Sequence, residues 1–220
     1  MILLRQIPPP KELGTNQSKW TARWRRSQPK QWATPSAKKL LQQHLPSKSH
    51  NKCVYCESIL GTSARPEIEH YHAKTVKLEL TFDWSNLFVA CGYCNNTKLD
   101  QQHDGVVLKP DVDDGEKCLW LNVDTGELEH SPGTDPARHE TTCRLCDLNR
   151  PILRRERIKQ HRLATALLDA IAEQGSLPKK LRLILVRLLA PQAEYKLAIR
   201  SALPKRLADV DRRMYHAPPD

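Results

Sequence analysis

The chain has 220 residues, 27% of them charged, and a formal net charge of +10, which suits a protein that binds a polyanion such as nucleic acid. No segment approaches the roughly 20 consecutive apolar residues of a membrane span, and the apolar run of residues 1–4 is too short for a signal peptide. Seven cysteines are an odd number for a secreted disulfide framework, so we expect a cytoplasmic protein with no membrane partner.

The positive charge is concentrated at the start of the chain. Residues 1–52 hold eleven Lys and Arg and a single acid, Glu12, which accounts for the whole net charge. The segment also contains Trp20, Trp24, Trp32, Arg23, Arg25 and Arg26. We interpret it as a basic N-terminal arm whose cations neutralise phosphates while its tryptophans stack on bases. The alternative is that the tryptophans are core anchors or dock a partner protein.

Two CxxC pairs bracket the next segment, Cys53 with Cys56 and Cys91 with Cys94. Four thiolates in two such pairs satisfy one tetrahedral zinc ion. The loop over residues 57–90 is longer than the roughly 12 to 20 residues of ordinary zinc fingers and ribbons. We therefore predict a zinc-held module over residues 53–110 with room for a hairpin and a helix.

The residues between and after the pairs carry candidate chemistry. Residues 66–70 resemble a short strand that ends in Glu69 and His70, and the segment after Cys94 predicts a helix that carries Asn95. An imidazole with a pKa of about 6.5 suits a general base at neutral pH. Carboxylate and amide oxygens, here those of Glu69 and Asn95, are ligands that suit Mg²⁺. This combination can hydrolyse a phosphodiester.

Residues 111–150 are predicted to form a turn-rich connector with a small hairpin around residues 124–126. Cys118, Cys143 and Cys146 also lie in this connector. With His139, Cys143 and Cys146 allow a second metal site. Because residues 141–148 favour a helix, we prefer the interpretation that these thiols are small buried hydrophobic groups.

From residue 151 the pattern is helical. We predict a helical C-terminal region over residues 151–208, with a third helix from Pro191 through Leu203, and a loose tail over residues 209–220. The expected fold class is α+β, mostly helical.

The motifs together resemble HNH endonucleases of the ββα-metal type with a four-cysteine zinc. That family's order is CxxC, an acid–His pair, Asn-Leu, then CxxC-Asn-x-x-Lys. The chain matches it with Cys53 and Cys56, Glu69-His70, Asn86-Leu87, and Cys91, Cys94, Asn95 and Lys98. Two further phrases, Ile68-Glu69-His70 with Lys74 and Trp84-Ser85-Asn86-Leu87-Phe88, resemble the nuclease subunit of Septu-type and retron-associated anti-phage systems.

The resemblance implies roles for these residues. His70 would be the general base, Glu69 and Asn95 would hold Mg²⁺ or Mn²⁺, and Asn86 would orient the loop that carries His70. Lys74 and Lys98 would face phosphate. The resemblance also implies an ABC-type ATPase subunit as partner, and a retron RNA–DNA complex as a further possible one. The chain contains no P-loop motif, so ATP hydrolysis would belong to the partner.

The sequence therefore predicts a metal-dependent HNH endonuclease that cleaves DNA as the effector of a defence complex. Three alternatives stay open: cleavage of RNA such as tRNA, a non-catalytic zinc adaptor that binds nucleic acid, and a restriction endonuclease that acts alone. Intact Glu69, His70 and Asn95 favour catalysis over the adaptor.

Overall fold

A computed structural model describes Leu4 and residues 6–27, 31–62, 64–98, 106–173 and 179–203. The predicted tail, residues 209–220, and the end of the predicted helical region, residues 204–208, lie outside this part of the chain. Within the described ranges the architecture is mixed α/β, with helices predominating and two small two-stranded antiparallel sheets, in agreement with the predicted α+β class.

The elements run in the order α1 (Lys11–Ser27), α2 (Pro35–Lys48), β1 (Pro66–His70), β2 (Leu87–Cys91), α3 (Gly92–Lys98), α4 (Gly115–Cys118), β3 (Leu119–Leu121), β4 (Leu128–His130), α5 (Pro136–Leu145), α6 (Pro151–Glu173), α7 (Lys179–Leu189) and α8 (Lys196–Ser201). Two 3₁₀ turns, Leu78–Leu80 and Trp84–Asn86, lie between β1 and β2.

Strands β1 and β2 and helix α3 form a continuous unit. The strands pair antiparallel, with Pro66 opposite Cys91 and His70 opposite Leu87, and α3 begins at the residue after β2. Because side chains alternate along a strand, Glu67 and Glu69 share one face of β1 and His70 lies on the other. The strand that ends in His70 and the helix that carries Asn95 are both observed where the sequence predicts them.

The connection between the two strands is shaped by a local cap. The Asp83 carboxylate accepts hydrogen bonds from the Ser85 backbone N–H at 2.8 Å and from the Ser85 hydroxyl at 2.6 Å. Such a cap satisfies a backbone donor at the start of a helical turn and favours the short 3₁₀ segment that follows. Strand β2 comes next, and all five of its residues are buried.

The described residues of the N-terminal segment, Leu4, 6–27 and 31–52, include two helices that pack on the rest of the protein. Helix α1 buries Leu13 and Trp24, helix α2 buries Leu41 and Leu45, and all four belong to the same buried cluster as the CxxC cysteines. The helices are amphipathic, so their apolar sides pack on the module, while all their described Lys and Arg residues except the buried Lys48 lie towards solvent. The described residues on either side of the predicted division at residue 52 therefore share one core, and the binding role of the N-terminal segment stays a prediction.

The small hairpin in the connector is observed as β3 and β4, which pair antiparallel. Its turn depends on Gly126, which has a φ of +74°. A Cβ atom at this position would lie 2.3 Å from the Arg154 carbonyl oxygen, so a side chain is sterically excluded as well as strained. The hairpin is thereby held close to helix α6.

The third C-terminal helix begins later than the sequence predicts. Helix α8 starts at Lys196 rather than at Pro191, because the preceding residues are tied to the first CxxC pair. Lys52 donates to the Ala193 carbonyl at 2.8 Å, and the Ile59 N–H donates to the Glu194 carboxylate at 2.6 Å. These contacts impose a turn, and Tyr195 takes a left-handed conformation with a φ of 48°.

Among the helices in the described ranges, none has both the length and the apolar character that crossing a lipid bilayer demands.

Candidate functional site

The four cysteines of the CxxC pairs converge on one point. Their sulfurs all lie within 4.8 Å of one another, and the Cys56 and Cys91 sulfurs are 3.8 Å apart. Tetrahedral zinc with Zn–S distances of about 2.3 Å places its sulfurs about 3.8 Å apart. All four residues, Cys53, Cys56, Cys91 and Cys94, are buried. The donor set and its spacing therefore fit a structural zinc ion with no open coordination position.

A cation lies beside this cluster. The Arg150 guanidinium donates to the Cys94 sulfur at 3.7 Å and to the Asp147 carbonyl at 2.9 Å, and it stacks on the Tyr93 ring at 4.2 Å. Burial by itself lowers the pKa of Arg150, but the nearby Cys94 and Cys56 thiolates outweigh it and raise that pKa above its usual range. Four thiolates around one divalent ion leave an excess negative charge, which Arg150 partly offsets.

The second set of candidate ligands does not converge in the same way. The His139 Nε2 atom lies 2.9 Å from the Leu128 carbonyl oxygen and 3.4 Å from the Cys143 sulfur. Burial raises the pKa of the Cys143 thiol to about 11 and that of Cys146 well above its usual range. Within the described ranges, the CxxC cysteines are the one group of three or more His, Cys, Asp and Glu side chains close enough to hold a metal.

His70 is held by a backbone carbonyl. Its Nε2 atom lies 3.0 Å from the carbonyl oxygen of Thr81, a fully buried residue. A carbonyl can only accept, so Nε2 carries the proton and the neutral ring has its lone pair on Nδ1. The ring meets the Trp32 indole edge to face, with centroids 4.6 Å apart, and His70 is 7% exposed. The imidazole thus has a defined tautomer and a defined orientation.

Asn86 fixes the chain that follows His70. Its Oδ1 atom accepts from the His72 N–H at 2.7 Å, and its Nδ2 atom donates to the His72 carbonyl at 3.0 Å and to the Leu80 carbonyl at 3.1 Å. The Asn86 carbonyl also accepts from the Tyr71 N–H at 3.0 Å. The side chain is buried and acts on the backbone, not on solvent.

Glu69 and Lys98 form a buried ion pair. The Lys98 ammonium lies 2.8 Å from Glu69 Oε1 and donates to the His70 carbonyl at 3.0 Å, and the Tyr55 hydroxyl donates to the same Glu69 oxygen at 2.8 Å. Glu69 is 3% exposed and Lys98 is 1% exposed. The Lys98 charge is thus neutralised inside the protein by the carboxylate expected to bind metal, and its contact with phosphate stays a prediction.

Asn95 is paired with Glu67 and not with Glu69. The Asn95 Nδ2 atom donates to Glu67 Oε2 at 2.7 Å, and the Glu67 carboxylate lies over Gly92, where a Cβ would come within 3.1 Å of it. Both Glu67 and Asn95 are partly exposed. The paired Glu67 carboxylate and Asn95 amide are thus within reach of solvent, and Glu67 lies on the face of β1 opposite to His70.

The other predicted cations differ in their exposure. Arg23, Arg25 and Arg26 are exposed on helix α1. Lys74 is half-buried, and its carbonyl accepts from the Trp24 indole N–H at 3.2 Å. The three arginines are exposed and can contact a polyanion. The backbone at Lys74, in contrast, is part of the packing between α1 and the connection after β1.

Sequence reasoning missed Glu67, Thr81, Tyr55 and Arg150. Glu67 had a usable signal, because it lies two positions before Glu69 in a predicted strand and residues at that spacing share one face. The other three had none: Thr81 acts through its carbonyl, Tyr55 lies inside the first CxxC pair but its contact with Glu69 depends on the fold, and Arg150 reaches the site from a distant part of the chain.

Comparison with known proteins gives a partial match. No family model matches the chain. The chain is 32% identical over 117 residues to the Septu protein PtuB of Bacillus thuringiensis, a match that covers 51% of this chain and 43% of that protein. It is 27% identical over 140 residues to the Septu protein PtuB of Bacillus mycoides strain KBAB4, covering 50% of this chain and 47% of that protein. The chain thus spans less than half the length of these relatives.

Proposed function

We propose that the chain is a metal-dependent HNH-type endonuclease that hydrolyses phosphodiester bonds, most simply those of DNA. The observation that carries this proposal is the hydrogen bond from His70 Nε2 to the buried Thr81 carbonyl. A general base needs a defined lone pair at a defined place, and this bond leaves the lone pair on Nδ1.

The proposed reaction is attack by water on phosphorus. His70 accepts the proton of the attacking water on Nδ1, and the bond from phosphorus to the 3′ oxygen breaks. The Thr81 carbonyl stabilises the imidazolium that forms, because it accepts from the N–H that remains on Nε2. Asn86 keeps the chain after β1 in place while this happens.

A divalent cation, Mg²⁺ or Mn²⁺, would neutralise charge on the phosphoryl oxygens and on the leaving oxygen. The donors at hand are the Asn95 amide and the Glu67 carboxylate, which lie together and partly exposed, and this suits an ion that keeps several of its waters. Glu69, the ligand that the motif suggests, has one oxygen engaged by Lys98 and Tyr55. We therefore assign the ion to Asn95 and Glu67, with Glu69 behind them.

The zinc-held cysteines would contribute folding energy, not chemistry, because four protein ligands leave zinc no open position. The similarity to Septu protein PtuB supports a role in anti-phage defence. We propose that the chain is the nuclease effector of such a defence complex, regulated by an ATPase partner.

Nucleic acid would approach from the side of helix α1. Lys19, Arg23 and Arg26 are exposed and separated by four and three positions, so they share one side of the helix. Replacing Arg23, Arg25 and Arg26 with Ala should lower the log–log salt slope of DNA binding by about 0.9 for each lost phosphate contact. The matched control is Lys38→Ala with Lys39→Ala on α2, where the slope should stay unchanged.

The decisive experiment is His70→Ala, assayed alone and with the ATPase partner on plasmid DNA and on total RNA. We expect cleavage to fall by about 10² to 10⁴, the usual contribution of general-base catalysis, with zinc content retained. The control is His72→Ala, two positions along, which should cut at the wild-type rate. Wild-type cleavage by His70→Ala would remove His70 as the base, and cleavage of RNA alone would redirect the proposal to an RNA substrate.

A further inference from the structure

The three N-terminal tryptophans have different surroundings. Trp24 is buried and donates its indole N–H to the Lys74 carbonyl, which is an ordinary packing contact. Trp20 lies against Phe82, with ring centroids 5.5 Å apart. Trp32 also lies against Phe82, at 5.4 Å, and in addition it contacts the ring of His70. Trp32 is therefore the tryptophan that links the N-terminal helices to the candidate base.

The position of Trp32 in the chain is unusual for a core residue. It lies in the connection between α1, which ends at Ser27, and α2, which begins at Pro35, so it belongs to neither amphipathic face. It is also only partly buried. Trp32 packs against the edge of the buried cluster and adds less apolar burial than a fully buried tryptophan would, so its contact with the His70 ring is its most specific one.

Trp32 contacts His70, the donor of the hydrogen bond that fixes the tautomer, and Phe82, the residue that follows the acceptor Thr81. It meets the His70 ring edge to face at an interplanar angle of 82°. Phe82 is fully buried and belongs to the segment that supplies the acceptor. The hydrogen bond restrains the Nε2 end of the imidazole, and an aromatic contact restrains rotation of the ring about its own bond to Cβ.

We propose that Trp32 is a positioning residue for His70. It holds the imidazole so that Nε2 faces the Thr81 carbonyl and Nδ1 presents its lone pair to the attacking water. Without it the ring can rotate, the hydrogen bond to Thr81 is lost part of the time, and the proton is distributed over both nitrogens. The expected effect on kcat rests on the proposed nuclease function. The effect of Trp32 on the tautomer of His70 does not, because it is measured independently of activity.

The test compares Trp32→Leu with the conservative Trp32→Phe and with the control Trp20→Leu, which also removes an indole from Phe82 but leaves the contact with His70 in place. Three quantities are measured on the zinc-loaded, full-length protein. They are kcat and KM on plasmid DNA, the free energy of unfolding, and the nitrogen chemical shifts of the His70 imidazole, assigned by their loss in His70→Ala. The shifts report the fraction of ring with the proton on Nε2.

We expect Trp32→Leu to lower kcat by about 10- to 100-fold, as for a misplaced catalytic group, with KM within about twofold of wild type. The fraction protonated on Nε2 should fall together with kcat. Trp32→Phe should restore most of both, and Trp20→Leu should lose stability without losing either. If Trp32→Leu does not fold, Trp32→Phe is compared with Trp20→Leu instead. The smaller ring of Trp32→Phe should still alter the fraction of His70 protonated on Nε2, whereas Trp20→Leu should leave it unchanged.

Two results would overturn the proposal. An unchanged tautomer fraction in Trp32→Leu would mean that the indole only fills space. A higher kcat in Trp32→Leu would mean that Trp32 covers His70 and hinders the reaction. If the wild-type protein cleaves neither DNA nor RNA, the nuclease function fails, but the tautomer measurement still accepts or rejects the positioning role of Trp32.

Discussion

The side-chain amide of Asn86 binds the backbone of His72 on both sides, accepting from its N–H at 2.7 Å and donating to its carbonyl at 3.0 Å. A neighbouring strand would make the same pair of bonds, so the side chain replaces a strand partner just beyond the end of β1. Because His70 is the last residue of β1, Asn86 determines the direction in which the chain leaves it. The asparagine of the motif is thus a backbone clamp.

Replacing Asn86 with Ala should therefore destabilise the protein and slow the proposed reaction. The substitution leaves the His72 N–H and the Leu80 carbonyl without their partner in a partly buried place, and losing such bonds costs about 1 to 3 kcal/mol in the free energy of unfolding. Urea denaturation measures this. Ser85→Ala, on the exposed neighbour, is the control and should stay within about 0.5 kcal/mol of wild type. Equal stability of Asn86→Ala and wild type would contradict the clamp.

The Glu69–Lys98 pair should behave as one unit. Glu69→Gln leaves a buried ammonium and Lys98→Met leaves a buried carboxylate, and breaking such a pair costs about 3 to 5 kcal/mol. The double variant removes both charges and should lose clearly less than the sum of the two single losses. The measurement is a double-mutant cycle of unfolding free energies. Additive losses would show that the two charges do not interact.

Zinc should be present at about one ion per chain and should be needed for folding. Cys94→Ser removes one of four ligands, and structural zinc contributes folding free energy on the order of 10 kcal/mol, so this variant should be unfolded or insoluble. Cys118→Ser is the control and should keep its zinc. Elemental analysis and circular dichroism are the measurements. Two zinc ions per chain would instead restore a second site at His139, Cys143 and Cys146.

Stability should rise with pH above pH 8 because of Lys48. This residue is buried, and its ammonium donates to the Trp84 carbonyl at 3.0 Å and the Leu87 carbonyl at 2.9 Å. Burial is the main cause that lowers the pKa of Lys48 to about 8 in the folded protein. The pKa of a lysine in the unfolded chain is about 10.4, so between these values the unfolded state binds more protons and stability rises with pH.

The measurement for Lys48 is urea denaturation of wild type and of Lys48→Met between pH 7.5 and about pH 9.5. Groups other than Lys48 titrate in both proteins, so the informative quantity is the difference between their unfolding free energies. That difference should move in favour of wild type with increasing pH, by at most about 1.4 kcal/mol per pH unit. A difference that is constant with pH would mean that Lys48 keeps an ordinary pKa.

The local elements around the site could be predicted because they depend on near neighbours. The CxxC spacing predicts a cluster that the structure brings together, and the strand that ends in His70 follows from a proline and a β-branched residue at its start. The hairpin in the connector follows from its Asp-Thr-Gly turn. For the strand and the hairpin the physical cause lies within a few residues of the effect, and for the cysteines each pair is local although the two pairs lie 35 positions apart.

The partners of the site could not be predicted, because they depend on long-range packing. From the sequence alone, a lysine three residues after the motif asparagine is expected to be a surface cation. Only the folded structure places Lys98 beside Glu69. The basic N-terminal segment likewise has a composition that is typical of a flexible basic arm. Its contact with the site, between Trp32 and His70, joins residues 38 positions apart and so could not be predicted from local sequence. Charge alone could not distinguish an outer helix face from a free segment.

The turn at residues 193–195 has a consequence for moving this motif into other proteins. Ser58 shares a hydrogen bond with the Tyr195 hydroxyl at 3.1 Å, and Lys52 and Ile59 are bonded to the same turn. A fragment of residues 52–98 would contain every residue of the motif, yet the side chains of Lys52 and Ser58 and the backbone N–H of Ile59 would lose their partners in the turn. The motif segment is therefore not a self-contained folding unit. Transferring it to another protein in a functional form would require the helices on either side of it as well.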